Sequence, residues 1–353
     1  MDLSQKCFEQ EQELSRLRSE LKAARLDISK SAQQQKFFHD MHLHKPSTPK
    51  WVTAPVPTEG PGMPVVLLSD LHWGETVNAV EVDGYNSYSV DIARRRLRRV
   101  VEKSIMMAEL HNNVTMSPGI VVMLGGDMVS GNIHEELLVH NEGSTQEHVL
   151  QLSAEIAAAL RLYADKFGRV YVPCVHGNHA RTTKKPAYRA TAVSNYDWQM
   201  YAWLQWYFKE IGDDRIVFHI PQGFDVFCSI MGRNYVLTHG DRLGVSGGDG
   251  IIGSIGPIMR GAHKVWQEYG KQGRRVDTVV MGHWHVRCDP PGIIVNGTLK
   301  GYDGFSKGHR FDVAPPTQAM WWSHPQYGIS LRADIHAEDT HARKVKTSFA
   351  RLS

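Results

Sequence analysis

Val65-Val66-Leu67-Leu68-Ser69-Asp70-Leu71-His72 decides the fold. An unbroken apolar, β-branched run reads as a strand buried on both faces, the signature of a parallel sheet covered by helices. It stops at two metal-ligating side chains that flank Leu71, whose own side chain is directed into the packing. The arrangement recurs: apolar runs lead into Gly126-Asp127, into Gly177-Asn178-His179, into His239 and into Gly282-His283-Trp284-His285. Open α/β sheets present ligands from the loops beyond the carboxyl ends of their strands, so five clusters far apart in sequence are expected to converge at one pole.

Between the clusters the periodicity alternates. Val65 to Ser69 reads as strand, Val90 to Leu110 as helix, Ile120 to Leu124 as strand, Gln146 to Lys166 as helix and Val170 to Val175 as strand. Right-handed βαβ units follow. After an aromatic helix from Trp198 to Ile211, short strands come in close succession at Arg215 to Ile220, Phe224 to Met231 and Tyr235 to Thr238. Val276 to Met281 and Ile293 to Asn296 extend them, with a helix from Ile258 to Tyr269 between. All five are expected in a second sheet packed on the first, which makes the fold class α/β: a two-sheet β-sandwich flanked by helices, with an N-terminal helical extension.

Residues 1–44 form that extension. Leu14, Leu17, Leu21, Ala24 and Ile28 fall at three- and four-residue steps, predicting a short coiled coil that makes a homo-oligomer; a solvated single helix is the plainer alternative. Residues 45–64 carry Pro46, Pro49, Pro55, Pro57, Pro61 and Pro64 and read as a linker. The main domain is expected over 65–301, with a C-terminal extension, 302–353, packed on it in part. Trp321 and Trp322 are assigned to packing.

The 353 residues and 42% hydrophobic content suit a sizeable core, and a net charge of +3 demands no polyanionic partner. The four cysteines show no CxxC spacing, which argues against a zinc ribbon or a disulfide framework. No apolar stretch reaches the roughly 20 residues of a membrane span and no secretory h-region opens the chain. A cytoplasmic protein without membrane insertion is expected.

Asp70 and His72 at one strand end offer two ligands to one ion. Asp127, behind two glycines, has a carboxylate able to bridge two cations. Asn178 adds an amide oxygen, His239 an imidazole, and His283 and His285 repeat the two-apart spacing. Any one of these alone is more often a structural residue; together they suit two divalent ions. Imidazole, carboxylate and amide donors without thiolate favour Mn, with Fe or Zn as alternatives.

The order DxH, GD, GNH, H, GHxH resembles that of the calcineurin-like metallophosphoesterase superfamily, over about Val65 to Thr298. The resemblance implies that Asp70, His72, Asp127 and His285 hold one metal and that Asp127, Asn178, His239 and His283 hold the other. It also implies that His179 contacts the scissile phosphate. One departure stands out: the acidic residue that follows GNH in that family is Ala180 here, and His176 is the nearest replacement as a support for His179.

Arg181, Lys184 and Lys185 follow closely; Arg181 is a candidate phosphate ligand, the alternative being an exposed basic turn. Trp198, Tyr201, Trp203, Trp206, Tyr207 and Phe208 read mainly as packing, with base stacking as the sharper reading. The run Arg94, Arg95, Arg96, Arg98, Arg99 reads as a solvated helix face, with nucleic-acid contact as the alternative. Gly248 to Gly253 fits GxGxxG but lacks the tight strand-to-helix context of a dinucleotide site, so Gly244 to Gly256 reads as a loop beside the metals.

These features lead to the expectation of a dinuclear-metal phosphoesterase acting on phosphodiester bonds, nucleic acid first and DNA in particular. A phosphodiesterase or phosphatase for nucleotides, lipid headgroups or phosphoproteins is the alternative. A non-catalytic scaffold is the reading from another class, and the complete ligand set argues against it.

Overall fold

Two β-sheets lie face to face because their strands carry apolar side chains on both surfaces. The structure, a computed structural model, describes residues 12–22, 47–55, 60, 62–111, 117–133, 137, 140–186, 188–189, 191–244 and 253–338. The chain divides into two units, Met1–Lys45 and Pro46–Ser353. In the first, residues 12–22 form helix α1, where Leu14, Leu17 and Leu21 are all about half exposed and Arg16 pairs with Glu13 and Glu20. Ala24 and Ile28 of the expected coiled coil lie outside the described residues, as do Pro46, Pro57 and Pro61 of the expected linker and the loop segment 245–252.

The second unit begins with a short helix, α2 (Lys50–Thr53), then strand β1 (Met63–Leu68). Helix α3 (Val90–His111), β2 (Ile120–Leu124), α4 (Thr145–Phe167), β3 (Val170–Pro173), α5 (Tyr196–Glu210) and β4 (Ile216–His219) follow. Next come β5 (Asp225–Ile230), β6 (Arg233–Thr238), α6 (Ile255–Lys271), β7 (Thr278–Met281), β8 (Ile293–Val295), α7 (Gly304–Gly308), β9 (Thr317–His324) and β10 (Gly328–His336). Local signals fix the ends of α4: Ser144 and Glu147 form a reciprocal capping box, and Gly168 closes the other end at φ 77°.

The larger sheet has the order β10-β9-β1-β2-β3-β4 and the smaller β5-β6-β7-β8. β1, β2, β3 and β4 run parallel, as do β6, β7 and β8, so the carboxyl ends of β1, β2 and β3 share one edge of the larger sheet. Between the sheets, Val65, Leu67, Val121, Met123 and Tyr171 of one meet Val226, Ile230, Tyr235, Leu237 and Val280 of the other in a single buried cluster. Helix α6 seals the outer face of the smaller sheet through Ile258, Ala262 and Val265. Helices α4 and α5 contact β3 and β4, and α3 contacts α4 and β10. The architecture is a mixed α/β sandwich, as expected.

Three expectations need correction. The strand at 216–219 belongs to the larger sheet, paired in parallel with β3, and not to the second sheet. Its spacing from β5 looked like the start of a meander, but a parallel partner for β3 was already supplied by the helix preceding it. The supposed linker is partly built into the domain: Val52 is fully buried in the inter-sheet cluster, and Met63 and Pro64 open β1. Pro64 is tolerated there because it stands at the start of β1, opposite Trp322 of β9. Finally, 317–336, set apart as an extension, supplies the two longest strands, and β9 lies directly against β1. Trp321 and Trp322 are buried, as expected for packing.

Candidate metal centre

The pairing of β1 with β2 continues past both strands and brings their polar ends together. Asp70 N–H donates to Gly126 O at 3.0 Å, and His72 N–H to Asp127 O at 3.1 Å. In the smaller sheet Gly282 N–H donates to His239 O at 3.0 Å, which joins the β6 and β7 ends in the same way. The two sheets are bridged at this pole by His283 N–H, which donates to Asp70 Oδ1 at 2.9 Å, and by His239 Nδ1, 2.9 Å from Gly125 O.

Five of these residues have left-handed backbones: Asp70 (φ 53°), His72 (47°), Asp127 (49°), His283 (68°) and His285 (55°). Such a conformation costs a non-glycine residue on the order of 1 kcal/mol or more and clusters at functional sites. Glycines make room for it. A Cβ on Gly177 would lie 2.1 Å from Asp127 Oδ1, and one on Gly282 2.2 Å from Asp70 Oδ2.

The result is three overlapping groups with ligand atoms within 4.8 Å of one another: Asp70, His72 and His285; His72, Asp127 and His179; Asp127, His239 and His283. Asp127 is common to two of them and His72 to two. Asn178 joins through its amide oxygen, 3.2 Å from His239 Nε2. All seven sequence-chosen ligand candidates are thus brought to one place. His72 Nε2 and His285 Nε2 face each other at 3.0 Å, and Asp70 Oδ1 is 3.4 Å from His285 Nε2.

The electrostatics fit a cation. Burial holds His72 well below the usual imidazole pKa, pushes His283 down to about 4, and lowers His179 as well, so these rings are neutral near pH 7 with lone pairs to give. His239 differs. Burial opposes its charge, but the Asp127 carboxylate, 3.0 Å away, outweighs burial and raises its pKa. A carbonyl only accepts, so Nδ1–H of His239 goes to Gly125 O, and Nε2 faces two acceptors, Asp127 Oδ2 and Asn178 Oδ1. Without a metal that nitrogen carries a proton. Buried His72 Nδ1 and Asp127 Oδ2 make no hydrogen bond of good geometry.

No protein-family model and no curated protein matches this chain.

His179 N–H donates to Asp127 Oδ1 at 2.7 Å, and its ring meets the His72 ring edge-on at 4.6 Å. Its Nδ1–H goes to Ser130 O at 3.1 Å. His176, the expected support, packs its ring edge-on against Phe224. Arg181 is close by, yet its guanidinium donates to three backbone carbonyls, those of Asn178, Thr183 and Lys184, and so braces the loop. The arginine run of α3 is not a bare cationic face: Arg94 and Arg98 both pair with Glu155, and buried Arg96 holds the carbonyls of Leu299 and Lys300 and pairs with Glu338. Of the α5 aromatics, Trp198, Tyr201 and Phe208 are buried, while Trp203 and Trp206 are exposed.

Sequence reasoning missed the residues that hold the ligands. Ser69 Oγ donates to Asp70 Oδ2 at 2.5 Å, and Asn296 Nδ2 donates to Ser69 Oγ. Asn195 Nδ2 donates to Gly177 O, and Asp197 Oδ2 accepts Gly177 N–H, which clamps the turn carrying Asn178 and His179. In the structure Asn195 caps α5 by accepting the Asp197 N–H, and Asp197 lies in the first turn, ahead of the Trp198 start expected from sequence.

Proposed function

We propose that this protein is a metal-dependent phosphoesterase of the calcineurin-like metallophosphoesterase kind, hydrolysing phosphodiester bonds with nucleic acid, DNA first, as the leading substrate class. The observation that carries the reading is the sharing of Asp127 between two adjacent ligand groups drawn from five strand ends. Asp70, His72, His285 and Asp127 would hold one divalent cation, and Asp127, Asn178, His239 and His283 the other, with Mn the first choice and Fe or Zn the alternatives. Such a pair would supply Lewis acidity and a water-derived nucleophile near neutral pH.

The protein's own part is positioning and proton control. Ser69 and the His283 N–H orient the two oxygens of Asp70. His179 N–H and the Gly177 backbone hold Asp127 from one side. His179 gives its Nδ1–H to Ser130 O; its Nε2, a lone pair in the neutral ring, would first take a proton from solvent, and the resulting imidazolium would hydrogen-bond a phosphoryl oxygen or pass that proton to the departing oxygen.

A second reading, a nucleotide or other small phosphodiester as substrate, is favoured by the engagement of Arg94, Arg96, Arg98 and Arg181 within the protein. Metal-stripped protein reloaded with Mn is to be assayed on bis-p-nitrophenyl phosphate, p-nitrophenyl phosphate and labelled single- and double-stranded DNA, beside Asp127→Ala. Diester and DNA cleavage that vanishes in the variant is the expected result. Activity on small esters alone moves the substrate to the second reading. Two bound metals with no hydrolysis of any ester would overturn catalysis and restore the scaffold.

A further inference from the structure

Behind His72 runs a buried chain of charges that none of the strand-end clusters contains. Glu75 Oε1 accepts from Lys300 Nζ at 2.8 Å, and Lys300 Nζ stands 2.6 Å from Asp303 Oδ2. Asp303 Oδ1 caps α7 by accepting Ser306 N–H at 2.8 Å. Glu75, Lys300 and Asp303 are 8%, 4% and 6% exposed, so these charges are removed from water. Buried charges persist when paired, and two carboxylates against one ammonium leave the trio with one negative charge over.

The excess is directed at His72. Glu75 Oε2 lies 3.4 Å from His72 Nδ1, and neither atom has another hydrogen-bond partner. A neutral His72 ring carries one proton, on one nitrogen or the other. With that proton on Nε2, the Nδ1 lone pair would face a carboxylate and Nε2–H would point at His285 Nε2, 3.0 Å away. With it on Nδ1, the proton meets the carboxylate and the Nε2 lone pair accepts from His285 Nε2–H, or turns with the His285 lone pair to a cation. Only the second arrangement satisfies both ends.

We propose that Glu75, anchored by Lys300 and Asp303, is the positioning residue of the metal centre: it takes the Nδ1–H of His72 and so fixes the ring with Nε2 presented to a cation. The assignment rests on reading the centre as a metal site. A carboxylate behind a ligating imidazole fixes its tautomer and raises its basicity, and loss of such a partner typically lowers metal affinity 10- to 100-fold. A cation on Nε2 would make Nδ1–H more acidic and strengthen its attraction to Glu75.

The test is nitrogen-15 NMR of the histidine rings in the full chain, metal-free and zinc-loaded, together with calorimetric titration of zinc. His72 of the wild type is expected to carry its proton on Nδ1 in both states. Glu75→Ala is expected to bind zinc 10- to 100-fold more weakly, and Glu75→Gln, which keeps an acceptor without the charge, to fall between. A wild-type His72 protonated on Nε2 overturns the proposal, as does unchanged zinc affinity in folded Glu75→Ala. Should Glu75→Ala not fold, the wild-type tautomer and Glu75→Gln still decide. A wild type that binds no zinc defeats the metal reading instead, while the metal-free tautomer reports separately on Glu75.

Discussion

Asp197 shows what a single buried side chain contributes at the residue scale. Burial, reinforced by the charge of Asp127, pushes its carboxyl up to about 7 from 3.8, and one of its oxygens has no hydrogen-bond partner. An acid with a raised folded-state pKa holds its proton longer in the native state than in the unfolded one. Its stabilising share is therefore complete below about pH 4 and is lost as the pH climbs to about 7, on the order of 4 kcal/mol across the window. The melting temperature of the metal-free wild type should decline over that range more steeply than that of Asp197→Asn; parallel profiles would refute the assignment. His179→Gln should keep its metal content, measured by elemental analysis, while losing about 10²- to 10⁴-fold in rate. Loss of metal instead would make His179 a ligand. The candidate ligands were legible in the sequence because their residue types and spacing are those that coordination chemistry asks for. Glu75 and Lys300 were not, because they are 225 positions apart and a lone buried-to-be Lys looks like any other.

At the scale of elements, the apolar runs fixed the strands closely, and the sheet to which each belongs was the harder question. β4 and β5 are separated by a few residues yet lie in different sheets, a choice made by the packing of α5 against β4. The β9–β10 hairpin was missed because 317–324 reads as a mixed polar stretch whose glutamine, serine and histidine are buried all the same; Gln318 Oε1 accepts the Ser69 N–H and thereby ends β1 beside Asp70. The glycines at the strand ends also act at this scale. Gly177→Ala puts a methyl group 2.1 Å from Asp127 Oδ1, so the turn or the carboxylate must move. The variant should stay folded by circular dichroism, melt lower than the wild type, and retain well under half of its metal. Full metal occupancy would show that the turn has slack.

For the whole molecule, the division at Lys45 sets a test of the N-terminal helix. Removing residues 1–45 should change the oligomeric state seen by light scattering and leave hydrolysis of a small ester intact; loss of both would deny the helix a separate role. Among the described residues no helix is long and apolar enough to cross a membrane. The order of strands in the larger sheet carries a last implication, for the making of the protein. β1 sits between β2 and β9, so the strand that delivers Asp70 and His72 is translated early and receives its second neighbour about 250 residues later. Throughout that interval a nascent chain offers a bare apolar strand edge beside a half-assembled centre, the situation in which chains pair wrongly with one another. Release of the polypeptide at 301 should consequently give insoluble material, whereas a chain that runs through 338 should be recovered from the ribosome in native form.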